Sequence, residues 1–371
     1  MKRSYIVIMV VIFSLLVWLP FALKVKLPGW SMDFSKGTQI LWENYDGPNY
    51  LIVEKTWYNK EAILNNFSNP LPAEYYPAHF PLYPAVISVF DVFLKGPTAM
   101  LFATLLGSVL MFLMLYQYLK EFKLSKNPWW LCFVFLFLPA RFVAVRAVGS
   151  PEPWFILFIV ASIYFFRKEK FWLAGLIGFL AQLTKSPAII LLGAYGVYAL
   201  VESIKVRRIQ YKYLPLLVQF LAVPLLFWFF GVRTGDFMAY FNSGDNIHLF
   251  FPPFTVFAPK GQVWVGNFWL EDIIWTWLVF GIGILYLKKK KATVEYYFAG
   301  LFFLSTLLVA HRDISRYILP ASPFALIGWD SLIQKKEFKI VLMILIVPVL
   351  LYSWNFLIEN VAPVADWAPY L

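Results

Sequence analysis

Long apolar runs, separated at short intervals by polar stretches and clusters of basic residues, set the pattern of this chain. Crossing about 30 Å of hydrocarbon takes about 20 apolar residues in a helix. Runs of this kind fall near 5–23, 98–119, 128–146, 152–167, 171–184, 187–202, 213–231, 269–287, 293–310, 316–333 and 340–357. In lipid only a helix satisfies its own backbone without leaving a sheet edge open. The pattern therefore predicts an all-α fold, a polytopic transmembrane bundle of about 11 spans forming one domain over 1–371. A large first outer loop, 24–97, and a second, 232–268, interrupt the pattern and are expected to cap one mouth of the bundle. Within the first loop, segment 81–95 is apolar but short, and Pro81 and Pro84 suit the opening of an interfacial or re-entrant helix.

Composition agrees: 61% of residues are hydrophobic and 14% charged, far from the balance of a soluble domain. The basic clusters sit at alternate ends of the spans, from Lys2-Arg3 through Lys120/Lys123/Lys126 and Lys288–Lys291 to Lys335-Lys336/Lys339. They place 19 of the 32 basic residues on one side against 6 of the 21 acids. By the positive-inside rule that side is cytoplasmic, as is the N-terminus. The net charge of +11 is thus a topology signal and does not point to nucleic acid. Cys132, the one cysteine, lies within a span, which excludes an intramolecular disulfide and a cysteine metal cage. The first span is followed by Lys24-Val-Lys-Leu-Pro28, a poor cleavage site, and reads as a retained anchor. Short loops favour a prokaryotic plasma membrane.

Ionisable residues near helix ends in a membrane protein tend to be functional. On the side opposite the basic clusters they converge: Asp33, Glu43, Asp46 and His79 in the first loop; Arg141, Arg146 and Glu152 around the turn Gly149-Ser-Pro-Glu-Pro153; Lys185; and His311-Arg312-Asp313-Ile-Ser-Arg316-Tyr317. Carboxylates beside fixed cations suit a lipid-linked sugar donor. Arg or Lys holds its phosphate as charge develops, a carboxylate takes the proton of an acceptor hydroxyl, and a groove between helices takes the tail. Asp46 or Asp33 is the candidate base, and Lys185, Arg146 and Arg316 are candidate phosphate ligands. His79, Tyr83, Glu152, His311 and Tyr317 are candidate substrate contacts. Each has a plainer reading: a solvated loop acid for Asp46, a snorkelling lysine for Lys185, headgroup anchors for Arg141 and Arg312. No two histidines stand at i, i+4, so no metal site is assigned, although a divalent metal stays open.

In order along the chain, the motifs resemble a known group. Trp42-Glu-Asn-Tyr45-Asp46-Gly47-Pro48-Asn49-Tyr50-Leu51-Ile52-Val53 is similar to the W-D-G-x-x-Y-L-x-I-A pattern of the glycosylphosphatidylinositol mannosyltransferase II-like family. His79-Phe80-Pro81-Leu82-Tyr83-Pro84 resembles that family's F-P-L-Y-P. Gly175-Leu-Ile-Gly178-Phe-Leu-Ala181-Gln-Leu183-Thr184-Lys185-Ser-Pro187 resembles the G-L-x-x-G-L-A-x-L-T-K-G-P of the protein O-mannosyltransferase and aminoarabinose transferase group, and Arg316-Tyr317-Ile-Leu319-Pro320 the R-Y-x-L-P found in both. Position 45 is Tyr where Trp is usual, 53 is Val for Ala, and Ser186 replaces a Gly.

The resemblance implies a GT-C fold and an integral-membrane glycosyltransferase moving mannose or another hexose from a polyprenyl-phosphate donor to a hydroxyl of a glycan, glycolipid or protein at the outer face. It implies Asp46 near the acceptor and Lys185 and Arg316 near the donor phosphate, with Asp33 a second candidate for the acid. Two other classes compete. A transporter or lipid flippase needs charge near the mid-plane, for which Asp91 is the main candidate. A non-catalytic scaffold leaves the acids and cations unexplained.

Overall fold

The computed structural model describes residues 2–44, 46–68, 71–244, 249–258 and 269–371. Asp245, His248 and Trp264, expected in the second outer loop, lie outside the described residues, as does the side chain of Trp269. Helix α1 (Lys2–Leu23) is followed by a two-strand hairpin in which β1 (Lys26–Leu27) pairs antiparallel with β2 (Met32–Asp33). The first loop then folds into α2 (Gln39–Trp42), α3 (Gly47–Thr56), α4 (Lys60–Asn66), a 3-10 turn at Ala73–Ala78 and α5 (Leu82–Leu94). The bundle continues with α6 (Gly96–Glu121), α7 (Pro128–Phe137), α8 (Arg141–Val145), α9 (Glu152–Arg167), α10 (Phe171–Thr184) and α11 (Ile189–Lys205). A 3-10 helix, Tyr211–Leu221, leads into α12 (Ala222–Thr234). After it come α13 (Trp269–Tyr286), α14 (Thr293–Thr306), α15 (Ile314–Tyr317), α16 (Ser322–Gly328), α17 (Asp330–Ile333) and α18 (Lys336–Glu359).

Among the described residues, six helical stretches are long and apolar enough to cross a membrane: Arg3–Leu23, Gly96–Glu121, Ser186–Lys205, Tyr211–Thr234, Leu270–Lys290 and Lys336–Glu359. Their outward faces are apolar. On α18, Ile340, Ile344 and Val347 are exposed while Leu342, Val349 and Leu357 are buried. In water such a surface would drive aggregation; against lipid it is the ordinary outer face of a bundle. Helix α1 belongs to the bundle. It buries Ile6, Val10, Val17 and Phe21, and Trp18 donates to the carbonyl of Ala147 at 2.7 Å.

Two expected spans are not single helices. The run 128–146 divides into α7 and α8 at Leu138-Pro139, where proline denies the helix its next backbone donor. The run 316–333 divides into α15, a 3-10 turn at Leu319–Ala321, α16 and α17, with prolines at 320 and 323. Helix α5, the apolar segment of the first loop, has 13 residues and is about 20 Å long, too short to cross hydrocarbon unaided.

Small residues let α13 and α16 cross at backbone contact. A methyl placed on Gly328 would stand 1.8 Å from the Gly283 carbonyl oxygen. Close backbone approach through small residues holds membrane helices together where the hydrophobic effect offers little. Gly328→Ala is therefore expected to force the pair apart and cost about 1–3 kcal/mol, as overpacking does. Thermal unfolding in detergent checks it: the variant should melt several degrees below wild type, and an unchanged melting temperature would refute the tight crossing.

Candidate active site

Asp46 directly precedes α3. Pro48 in the first turn supplies a pre-set helical φ, and the Asp46 carbonyl accepts the Tyr50 N–H at 3.0 Å, which starts the helix. Its carboxylate makes no capping bond to α3 and faces the bundle instead. There Oδ2 accepts from Arg316 Nη2 at 3.2 Å, while Oδ1 lies 3.9 Å from His79 Nε2. The second distance is longer than a hydrogen bond.

Glu152 opens α9, where an acid in the first turn complements the helix dipole. Its Oε1 accepts from both Lys185 Nζ and Arg316 Nε, each at 2.9 Å, and its Oε2 from the Ser150 hydroxyl. Lys185 stands just past the end of α10 in an extended conformation, with Pro187 two residues on to stop the helix. Arg316 sits on the short α15. One guanidinium thus bridges two carboxylates that are 106 residues apart in the chain. The two acids differ in access: the Glu152 side chain is 3% exposed and that of Asp46 33%. Burial opposes charge on Asp46, but His79 and Arg316 outweigh it and hold the carboxyl well below the usual carboxylate range.

A buried scaffold sets these positions. The Tyr83 hydroxyl lies 2.6 Å from Thr104 Oγ1, and both accept from the Ser150 N–H, at 3.0 and 3.2 Å. The Tyr58 hydroxyl donates to the carbonyl of His79, and Tyr50 meets the rings of His79 and Tyr83 edge-on at 4.8 and 4.9 Å. Next to the ionic cluster lies an apolar cavity of about 320 Å³. Phe80, Ile189, Phe220, Phe227 and Phe230 line it, with Ser186 beside Lys185 at its edge.

Of the residues expected from sequence, the structure brings together Asp46, His79, Glu152, Lys185 and Arg316. Tyr83 serves as scaffold beneath them and is fully buried. Arg146 points elsewhere: buried, it donates to Ser14 Oγ on α1 at 3.1 Å. Asp33 is at the exposed hairpin, 2.9 Å from Lys26. Hydrogen bonds from Lys26 and Ser35 pull its pKa down to about 2. His311 accepts the Asp313 N–H at Nδ1 and its ring lies 5.4 Å from that of Tyr317, which directly follows Arg316. Arg141 pairs with Asp313 and lies over the Phe356 ring, so it is an internal strut and not a headgroup anchor. Among the described residues no three His, Cys, Asp or Glu side chains gather as a metal site would require. Ser150 and Thr104 were not singled out from sequence; Ser150 lay within the quoted turn Gly149–Pro153, but nothing in its spacing shows its partners.

The described part of the second loop packs on the first. Arg233 donates to the carbonyls of Trp57 and Thr56, and Tyr240 bonds Ser186 and meets the Phe80 ring.

No family model matches the sequence. An uncharacterized protein of Aquifex aeolicus (strain VF5) is 29% identical over 226 residues, which cover 56% of this chain and 43% of that protein. Among solved structures, ArnT from Cupriavidus metallidurans bound to undecaprenyl phosphate superposes with a TM-score of 0.59 at 16% identity, over 92% of this chain and 63% of that one. The archaeal oligosaccharyltransferase AglB from Archaeoglobus fulgidus, in complex with an inhibitory peptide and a dolichol-phosphate, superposes with a TM-score of 0.55 at 13% identity, over 99% of this chain and 57% of AglB. The chain thus spans under two thirds of the length of each of these proteins. At these identities the likeness establishes the fold: the chain has the GT-C architecture of polytopic membrane proteins.

Proposed function

We propose that this protein is a membrane glycosyltransferase that moves a sugar, mannose or another hexose, from a polyprenyl-phosphate donor to an acceptor hydroxyl at the outer face of the membrane. The observation that carries this reading is the bridge made by Arg316: an accessible carboxylate on one side, a buried carboxylate shared with Lys185 on the other. ArnT and AglB, whose structures hold undecaprenyl phosphate and dolichol-phosphate, share the fold. The acceptor oxygen attacks the anomeric carbon and its proton passes to Asp46. The bond from that carbon to the phosphate oxygen breaks, and polyprenyl phosphate leaves against Lys185 and Arg316. Direct attack inverts the anomeric configuration. The apolar cavity takes the first isoprene units, and the outer loops 24–97 and 232–268 cap the site.

Glu152 holds Lys185 and Arg316 together while the donor is away. An incoming phosphate competes with both carboxylates for Arg316. This solves a chemical difficulty, because an acid held as low as Asp46 is a poor base. Drawing Arg316 towards phosphate loosens its hold on Asp46 and raises that pKa. The sign follows for pH profiles. kcat/KM for the donor reports the free enzyme and kcat the complex, so the acidic limb of kcat should lie at higher pH than that of kcat/KM. Between pH 4 and 8 kcat/KM should stay flat on the acid side, because free Asp46 is ionised throughout, while kcat should fall; a kcat as flat as kcat/KM would show that the donor does not act on Asp46.

A further inference from the structure

Sequence pattern suggested His79 as a substrate contact, but the structure seals it off. Its side chain is 4% exposed, and Nδ1 is buried with no hydrogen-bond partner. Among the described residues the ring pairs with one charged side chain, Asp46, whose Oδ1 lies 3.9 Å from Nε2. Backbone and neighbouring rings fix it there. The His79 N–H donates to the Tyr76 carbonyl at 2.9 Å, and its own carbonyl accepts from the buried Tyr58 hydroxyl. The Tyr75 ring lies 5.5 Å away, and that of Tyr50 stands edge-on at 4.8 Å. Tyr50 belongs to α3, the helix that Asp46 precedes. Ring and carboxylate are thus held by one element.

The tautomer follows from the partners. A proton on Nδ1 would be a buried donor with nothing to accept it, at a cost of about 1–3 kcal/mol. A proton on Nε2 points instead at an anionic oxygen. His79 therefore presents an N–H to Asp46 and keeps its lone pair on the sealed side. It cannot take the acceptor's proton, because Nε2 already carries one and Nδ1 is out of reach. The two oxygens of Asp46 then have separate holders, Arg316 on Oδ2 at 3.2 Å and His79 on Oδ1. A donor phosphate that draws Arg316 away empties Oδ2. The Asp46 side chain, 33% exposed, would then turn freely unless Oδ1 stayed held. Closing the gap to His79 by about 1 Å makes that hold a hydrogen bond, and catalytic contacts commonly tighten in this way once substrate binds.

We propose that His79 is the positioning residue of the base: its Nε2–H holds Asp46 Oδ1, so that Oδ2, once released by Arg316, faces the acceptor hydroxyl. The inference rests on the reading of Asp46 as the base. The acceptor O–H bond breaks and an Oδ2–H bond forms, while the His79 proton stays on Nε2. Glutamine places an amide N–H where the histidine Nε2–H stands, whereas the shorter asparagine reaches only the position of Nδ1. His79→Gln should keep kcat within about threefold of wild type, and His79→Asn should lower it about 10²-fold, the effect of misplacing a reacting group by about 1 Å. Donor KM should change little in either variant, because Lys185 and Arg316 keep Glu152 between them. Equal kcat in the two variants would overturn the positioning role. Wild-type transfer by Asp46→Asn would instead overturn the base, which keeps the two failures distinct. A second measurement needs no turnover. The chain has three histidines, so nitrogen NMR of isotope-labelled histidine in liposomes, assigned with His79→Gln, reads the tautomer directly. A neutral ring protonated at Nε2 is expected; a proton on Nδ1, or on both nitrogens, would sink the proposal whether or not transfer occurs.

Discussion

Asp46→Asn is expected to lower the rate of sugar transfer by about 10³-fold, within the range for loss of a positioned general base, while leaving the protein folded and inserted. The Asn side chain has the same size, and its oxygen still accepts from Arg316, so the bridge to Glu152 survives. Without the charge, no group at this exposed position takes the acceptor proton. Donor affinity should hold or rise, because the competitor for Arg316 has become neutral. That combination, with the chemical step lost and donor binding kept, separates a base from a merely structural acid. Full activity in Asp46→Asn together with loss in Asp33→Asn would move the base to the hairpin, although Asp33 pairs there with Lys26 in the open.

Arg316→Lys is expected to be nearly as damaging, reducing kcat/KM for the donor by about 10²–10³-fold, as losing one preorganised charge donor does. An arginine fork places two N–H groups in a fixed geometry, which a single ammonium cannot reproduce. Here Nε serves Glu152 and Nη2 serves Asp46, so lysine can hold one carboxylate and must release the other. Charge is retained, and a role limited to charge balance predicts near-normal kinetics. Measured KM and kcat for a labelled donor decide between them: both should worsen.

Much of this site was legible along the chain, and the reasons differ by residue. Asp46 stood out as an acid of the first outer loop within the motif Trp42–Val53, and it directly precedes α3. Lys185 and Arg316 stood out as cations near the outer ends of spans, within the motifs Gly175–Pro187 and Arg316–Pro320. Glu152 was legible as a helix-opening acid, but its place as the hub was not: its cationic partners lie 33 and 164 residues away, and no local pattern encodes that meeting. Arg146 shows the reverse. Its position near the turn suggested a phosphate ligand, yet the ridge of α1 offers Ser14 to it. Asp91 read as a stray membrane charge that favoured transport. It pairs with Lys55 at 2.8 Å and accepts the N–H of Gly96, so it anchors α5 to the start of α6. The breaks in 128–146 and 316–333 follow from prolines that hydropathy alone does not weigh.

The central claim is that Asp46, Lys185 and Arg316 work on a polyprenyl-phosphate sugar. The most direct measurement places the purified protein in liposomes with labelled polyprenyl-phosphate mannose and a mixed glycolipid acceptor pool, beside Asp46→Asn and Lys185→Ala. The account predicts release of polyprenyl phosphate by wild type and its loss in both variants. No release from mannose, glucose or aminosugar donors, with labelled lipid equilibrating between leaflets instead, would contradict it.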